Sequence, residues 1–168
     1  MRENLKKMLS YYRPYRRVFA ADMFFAILAS VIALAIPLIA RFITSNIIYL
    51  EKSEVLKQTL LLGVLMVGLV LVYCYCNFYI SNYGHVMGAK IEYDMRSEIF
   101  GHYQKLSFAF YDNQKVGALM SRITTDLFDI TELMHHGPEN VVISAIKICG
   151  AFVIMLCISP ILTFFAFA

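Results

Sequence analysis

The 168-residue sequence predicts an all-α, polytopic membrane protein whose long transmembrane helices continue into the cytoplasm. Three observations predict it. Sixty per cent of the residues are hydrophobic and the mean hydropathy is +0.64, above the range of soluble globular domains. Three blocks, Met23–Ala40, Gln58–Ala89 and Ile148–Ala168, contain no Asp, Glu, Lys or Arg. Each reaches the roughly 20 residues that a helix needs to cross about 30 Å of hydrocarbon. Between the second and third lies an amphipathic stretch from Met87 to Asp129 with helical spacing of its apolar residues. Burying three such blocks inside a soluble protein would require a core larger than 168 residues can enclose.

Each element follows in order. Leu5, Met8, Leu9 and Tyr12 stand at i, i+3, i+4 and i+7 beside Lys6, Lys7 and Arg13. That pattern predicts an interfacial helix within residues 1–17, ended by Pro14. Span 1 covers residues 18–43, with a kink expected at Pro37, and span 2 covers residues 58–83. No stop signal follows Tyr83; Met87, Ile91, Met95, Ile99 and Tyr103 recur four apart, so the helix runs on to Leu106, about 70 Å in all. A second helix is read from Leu119, Ile123, Leu127, Ile130 and Met134, leading into span 3 at residues 137–158. Residues 84–136 thus form a cytoplasmic helical hairpin with its connecting element near residues 107–117. Residues 160–168 read as the start of a fourth span, so the sequence is expected to be a fragment of a longer protein.

Charge placement orients these elements. Arg2, Lys6, Lys7, Arg13, Arg16 and Arg17 precede span 1, and Lys90, Arg96, Lys105, Lys115 and Arg122 lie in the hairpin. Positive residues accumulate on the cytoplasmic side, so the amino terminus and the hairpin are expected inside; the membrane is expected to be the plasma membrane. A net charge of +3 is then a topology signal, and no nucleic-acid partner is expected.

No phosphate-binding loop and no nucleophile–base constellation is present, so no catalytic residue is assigned. No metal site is assigned either. Cys74 and Cys76 point about 200° apart on a helix, and the neighbours His135 and His136 diverge by about 100°. Asp22 is read as an acid at the cytoplasmic boundary, close to Arg16 and Arg17. Arg122 is placed to fix the hairpin's register against Asp94, Glu98 or Asp126, and Arg96 is counted with these register residues.

At the hairpin tip Phe108, Phe110 and Tyr111 stand beside Asp112, Asn113, Gln114 and Lys115. Aromatic rings with polar neighbours suit a docking knob, or equally a solvated loop with its rings folded back. In the membrane, Asn140, Ser144 and Lys147 share one face of span 3, and Tyr73, Asn77, Ser81 and Gly84 form a matching row on span 2. These rows are candidate walls of a solute pathway; Lys147 could instead pair with an acid on a span outside this sequence.

The tip region resembles the first intracellular loop of ABC exporters, the exporter-type transmembrane domain family of multidrug, lipid and peptide transporters. The resemblance rests on Gly88, Asp94 with Arg96, Ile99-Phe100, Phe110-Tyr111-Asp112, Gly117, Ser121-Arg122 and Asp126. Arg13-Pro14-Tyr15-Arg16 resembles the family's elbow helix, Pro37 a frequent span-1 proline, and Cys157-Ile158-Ser159-Pro160 the tight outer turn. Ile43-Thr44-Ser45 departs from a frequent Ile-Asp after span 1. The resemblance implies an ATP-driven exporter half with six spans, a second half in a homo- or heterodimer, and ATP-binding domains that would hold ATP and magnesium. The complete protein would be an ATP-hydrolysing translocase, and this fragment is not expected to be catalytic alone. Residues 107–117 would be the coupling helix, with Phe110, Tyr111, Asp112, Asn113, Gln114 and Gly117 on the nucleotide-binding domains. The solute would be a small amphipathic molecule, lipid or peptide. Residues alone leave two other readings open: a membrane scaffold that binds a soluble partner, and an ion-coupled carrier using Asp22 or Lys147.

Overall fold

The computed structural model describes residues 2–47, 51–112 and 114–167. Asn113 lies outside the described residues, as does the side chain of Leu5. Every regular element described is helical. α1 is Arg2–Ser10, α2 Arg16–Asn46, α3 Lys52–Tyr79, α4 His85–Tyr103, α5 Phe108–Asp112, α6 Val116–Ser121, α7 Leu127–Ile158 and α8 Pro160–Phe167. Two five-residue π-helical turns, Ile80–Gly84 and Arg122–Asp126, join α3 to α4 and α6 to α7 without leaving helical backbone. Among the described residues, three continuous helices are long and apolar enough to cross a membrane: Arg16–Asn46, Ser53–Tyr103 and Val116–Ile158.

Contacts divide the chain into two compact units. The first comprises Met1–Asp22 and Ser81–Glu139. Its core is Met87, Ile91 and Met95 from α4 with Leu127 and Met134 from α7, each under a tenth exposed. Spacing of four along α4 explains the choice, because residues four apart overlie one another on one face. Met8, Tyr11, Tyr12, Tyr15, Val18 and Phe19 pack on this core. The predicted amino-terminal stripe therefore divides: Met8 and Tyr12 are half-buried, whereas Leu9 is 58% exposed. α1 also ends at Ser10, earlier than the sequence suggested. Residues 11–15 form tight turns instead, with Arg13 N–H donating to Ser10 O at 3.1 Å and Tyr15 N–H to Tyr12 O at 3.0 Å. Pro14 accounts for this, since it lacks an N–H and pushes Arg13 out of the α region.

The second hairpin helix departs from the predicted stripe at one point. Leu119, Ile123 and Leu127 are buried, but the next buried residue is Thr131, and Ile130 is 40% exposed. The π turn Arg122–Asp126 supplies the cause. A π turn holds more residues than an α turn, so the inward face arrives one residue later. Thr131 tolerates burial because its hydroxyl donates to Leu127 O at 3.1 Å and Phe128 O at 2.9 Å. Pro138 sits inside α7 and has no N–H for the carbonyl of Met134 four residues earlier. The Tyr12 hydroxyl donates to that carbonyl instead, so the elbow is tied to the proline's vacated acceptor.

The second unit comprises Met23–Ile80 and Asn140–Ala168. Phe25 of α2 meets Tyr79 and Tyr75 of α3, with ring centroids 4.4 and 5.8 Å apart. Gly150 of α7 lies so close to α2 that a Cβ there would come within 2.4 Å of a Leu34 methyl. Pro37 is carried inside α2 without ending it. Leu60, Leu61, Val64, Leu71 and Phe78 of α3 are each at least 60% exposed, a surface suited to lipid.

Candidate functional site

The tip of the hairpin is built by α5, a single short helix between α4 and α6. Its rings have different roles. Tyr111 is half-buried and its hydroxyl donates to Tyr103 O at 2.5 Å, filling an acceptor at the carboxyl end of α4. Phe110 is half-buried edge-on to Tyr111, with ring centroids 5.4 Å apart. Phe108 turns outward and is 89% exposed. Asp112, Gln114 and Gly117 are exposed beside it. The tip thus combines the two sequence alternatives: Phe110 and Tyr111 fold back and rigidify the turn, while Phe108 and Asp112 remain presented. Gly117 has open space around it and an ordinary helical conformation, so no turn there demands glycine.

Arg96, one of the expected register residues, bridges the two helices of the hairpin. Its Nε donates to Ile123 O at 3.2 Å, reaching a carbonyl inside the second π turn, while its other end pairs with Glu92 one turn back on α4. Among the described residues no acid lies within ion-pair distance of Arg122, and Asp94 and Glu98 are engaged elsewhere. Tyr15 donates to Asp94 Oδ2 at 2.9 Å, and Glu98 receives both Lys7 Nζ at 2.6 Å and the Tyr11 hydroxyl. Asp126 is exposed. Three tyrosine hydroxyls, those of Tyr11, Tyr12 and Tyr15, therefore clasp the elbow to the hairpin. Sequence reasoning counted Tyr12 only as an apolar residue; the cluster of tyrosines beside a Pro turn was the available signal.

The clasp carries a pH dependence. Hydrogen bonds from Lys7 and then Tyr11 hold the Glu98 carboxyl below its usual range, while burial and the bond to Glu98 push Tyr11 up to about 12. A depressed carboxylate contributes fully above its unfolded value of about 4.3 and loses the contribution as pH falls through its lower folded value. Tyr11, being raised, contributes fully below about 10 and loses it as pH rises through about 12. Over ordinary conditions only the acid limb is reached. A nitroxide on Leu9→Cys should therefore gain mobility as pH drops below about 4, and Lys7→Gln should move that transition to higher pH. Mobility that is flat across the acid range would remove the clasp.

The polar rows of the membrane helices are placed as follows. Asn77, Ser81, Asn140, Ser144 and Lys147 are exposed, and Tyr73 is half-buried. Asn77 donates to Tyr73 O at 2.8 Å, so one of its polar groups is used locally. Gly84, counted with this row by spacing, is buried against Asp22 and His135 instead. Asp22 itself is 0% exposed, next to His135 and Glu139, with His85 and His136 alongside. Sequence reasoning passed over His85 and Glu139 altogether and read Asp22 as an acid at the cytoplasmic boundary, without these neighbours.

The chain matches the model of the ABC transporter transmembrane region over residues 19–168. It is 39% identical over 158 residues to the "Uncharacterized ABC transporter ATP-binding protein YwjA" of Bacillus subtilis, covering 92% of this chain and 26% of that protein. It is 29% identical over 159 residues to YknV of the same organism, another protein named as an uncharacterized ABC transporter ATP-binding protein, covering 94% and 26%. Similarity extends at 25% identity over 162 residues to the "Putative multidrug export ATP-binding/permease protein YgaD" of Bacillus subtilis, covering 95% and 28%. The chain thus spans about a quarter of the length of the curated relatives it matches.

Proposed function

Because the chain belongs to the ABC transporter transmembrane region family, we propose that it forms part of the membrane pathway of an ATP-driven exporter and receives its drive at the hairpin tip. The single observation that carries this reading is α5: a short helix held rigid by Tyr111 and presenting Phe108 to water. An exposed ring beside a carboxylate, fixed on helices, is the kind of anchor that interfaces use. Relatives named as ATP-binding proteins support the partner, a nucleotide-binding domain that holds ATP and magnesium outside this chain. In this reading the complete protein works as a pair of such halves, hydrolyses ATP, and lies in the plasma membrane with its amino terminus in the cytoplasm.

Closure of the ATP-binding domains would displace α5. Helices resist bending, so movement at the tip would reach the membrane segments as tilt. Tyr73, Asn77 and Ser81, with Asn140, Ser144 and Lys147, would line the path of a small amphipathic solute, lipid or peptide. The exposed Lys147 would favour an anionic group, since a charge at that depth needs water or a partner. One cysteine-labelling series in sealed vesicles tests both topology and pathway, with the native cysteines replaced. Ser53→Cys and Gln114→Cys should label from opposite faces. Asn77→Cys and Lys147→Cys should react without nucleotide and be protected when ATP is trapped. Same-face labelling removes the topology, and nucleotide-independent silence at both pathway positions removes the pathway.

A further inference from the structure

The geometry points to a divalent transition-metal site formed by Asp22, His135 and Glu139, which fastens the start of α2 to α7 beneath α4. One ligand atom from each of the three residues lies within 4.8 Å of the others. The residues are 0%, 3% and 7% exposed. Among the described residues, neither Asp22 oxygen, neither His135 ring nitrogen nor Glu139 Oε2 has a hydrogen-bond partner. Glu139 Oε2 lies 3.4 Å from His136 Nδ1, an approach that lacks hydrogen-bond alignment. Buried polar groups are nearly always partnered, and buried carboxylates are paired or bound to metal. A single cation among these atoms would give the unpartnered oxygens of Asp22 and nitrogen of His135, with Glu139 Oε2, a shared partner.

The chain makes room for such an ion. Gly84 closes the first π turn, and a Cβ there would sit 2.6 Å from His135 Cε1, 2.9 Å from Asp22 Oδ1 and 3.1 Å from His135 Nε2. Asp22 Oδ1 and His135 Nε2 therefore border the same small space, and the absent side chain of Gly84 keeps it open. Gly88, one turn on, also faces that histidine: a Cβ there would meet His135 Cβ at 3.5 Å. Single-turn π-helical segments recur at functional sites.

Ligand chemistry selects the class of ion. A nitrogen with two carboxylate oxygens suits Zn2+, Mn2+, Co2+ or Fe2+, whereas Mg2+ and Ca2+ take oxygen shells and Cu+ takes sulfur. Three protein ligands leave a position for water, as in open zinc sites. His85 and His136 stand just outside, with ring centroids 5.2 and 4.5 Å from that of His135. Their nitrogens form a second group with His135, within the same 4.8 Å limit. The 100° divergence of neighbouring helix positions thus did not separate His135 from His136, because side-chain torsions bring the two rings together.

The test uses the complete transporter in detergent, stripped with EDTA and free of nucleotide, with Co2+ as an absorbing probe and Zn2+ as competitor. Wild type should show d–d bands of low-coordinate Co2+ at about one ion per chain, displaced by Zn2+. Asp22→Asn and Glu139→Gln should each weaken binding by about a hundredfold or more, since even outer partners of metal ligands cost 10–100-fold. Glu132→Gln, whose carboxylate lies 3.5 Å from His136 Nε2 and is not one of the three ligands, should leave binding within a few-fold of wild type. Zn2+ should raise the thermal midpoint of wild type and not of Asp22→Asn, which distinguishes a lost site from a misfolded variant. No Co2+ signal in wild type overturns the proposal. So does binding that survives Asp22→Asn and Glu139→Gln but is lost in His85→Ala, which would place the ion among the histidines alone.

Discussion

In the complete transporter, Phe108→Ala should reduce solute-stimulated ATP turnover and transport by about tenfold or more, while membrane insertion and basal ATP hydrolysis persist. The size follows from interface anchors, whose truncation commonly costs about 2 kcal/mol or more, against 1.4 kcal/mol for a factor of ten. Phe108 is chosen over its neighbours because it is 89% exposed, whereas Phe110 and Tyr111 are half-buried. Asp112→Ala, which removes the exposed carboxylate at the end of α5, should act in the same direction and more weakly. Tyr111→Phe is the informative contrast. It removes the hydroxyl that donates to Tyr103 O and should loosen the tip without removing an outward ring. If Phe108→Ala couples normally, α5 is a solvated turn and the drive enters elsewhere. If Tyr111→Phe alone uncouples, the tip acts through its stiffness.

Much of this architecture is written in local periodicity. The uncharged blocks mark the membrane helices, and the four-residue spacing of Met87, Ile91 and Met95 marks the buried face of α4. Such signals are legible because they depend on residues one or two turns apart. What stayed hidden depends on other things. A π turn leaves no compositional trace in Arg-Ile-Thr-Thr-Asp, so the shift from Ile130 to Thr131 could not be anticipated. The carbonyl freed by Pro138 finds its donor in Tyr12, on the far side of the sequence. Likewise Asp22, His135 and Glu139 meet only through tertiary packing, and Gly84 was read by spacing as part of a polar row rather than as the gap they share. At the tip, the residue types were legible, but which ring faces water depends on the Tyr111 bond to α4.

The π turn Arg122–Asp126 yields the other large effect, because it decides which residues of α7 carry the core. Leu127→Ala should destabilise the hairpin unit by about 2–5 kcal/mol, the usual range for emptying a packed leucine site. Leu127 is 2% exposed among Met87, Ile91, Met95 and Met134, and these flank it from two helices, which limits collapse into the gap. At about 2–4 °C per kcal/mol for a chain of this size, its thermal midpoint should fall by roughly 5–15 °C. Ile130→Ala, a similar deletion only three residues on, should shift it far less, because Ile130 is 40% exposed. Thr131→Val probes the same face from the other direction: it keeps the shape and removes a hydroxyl satisfied by Leu127 and Phe128, so its effect should be small. Equal losses at Leu127 and Ile130 would mean that α7 presents a broader face than the π turn allows. A larger loss at Ile130 would restore the unbroken α period, with Ile130 inward and Thr131 turned away.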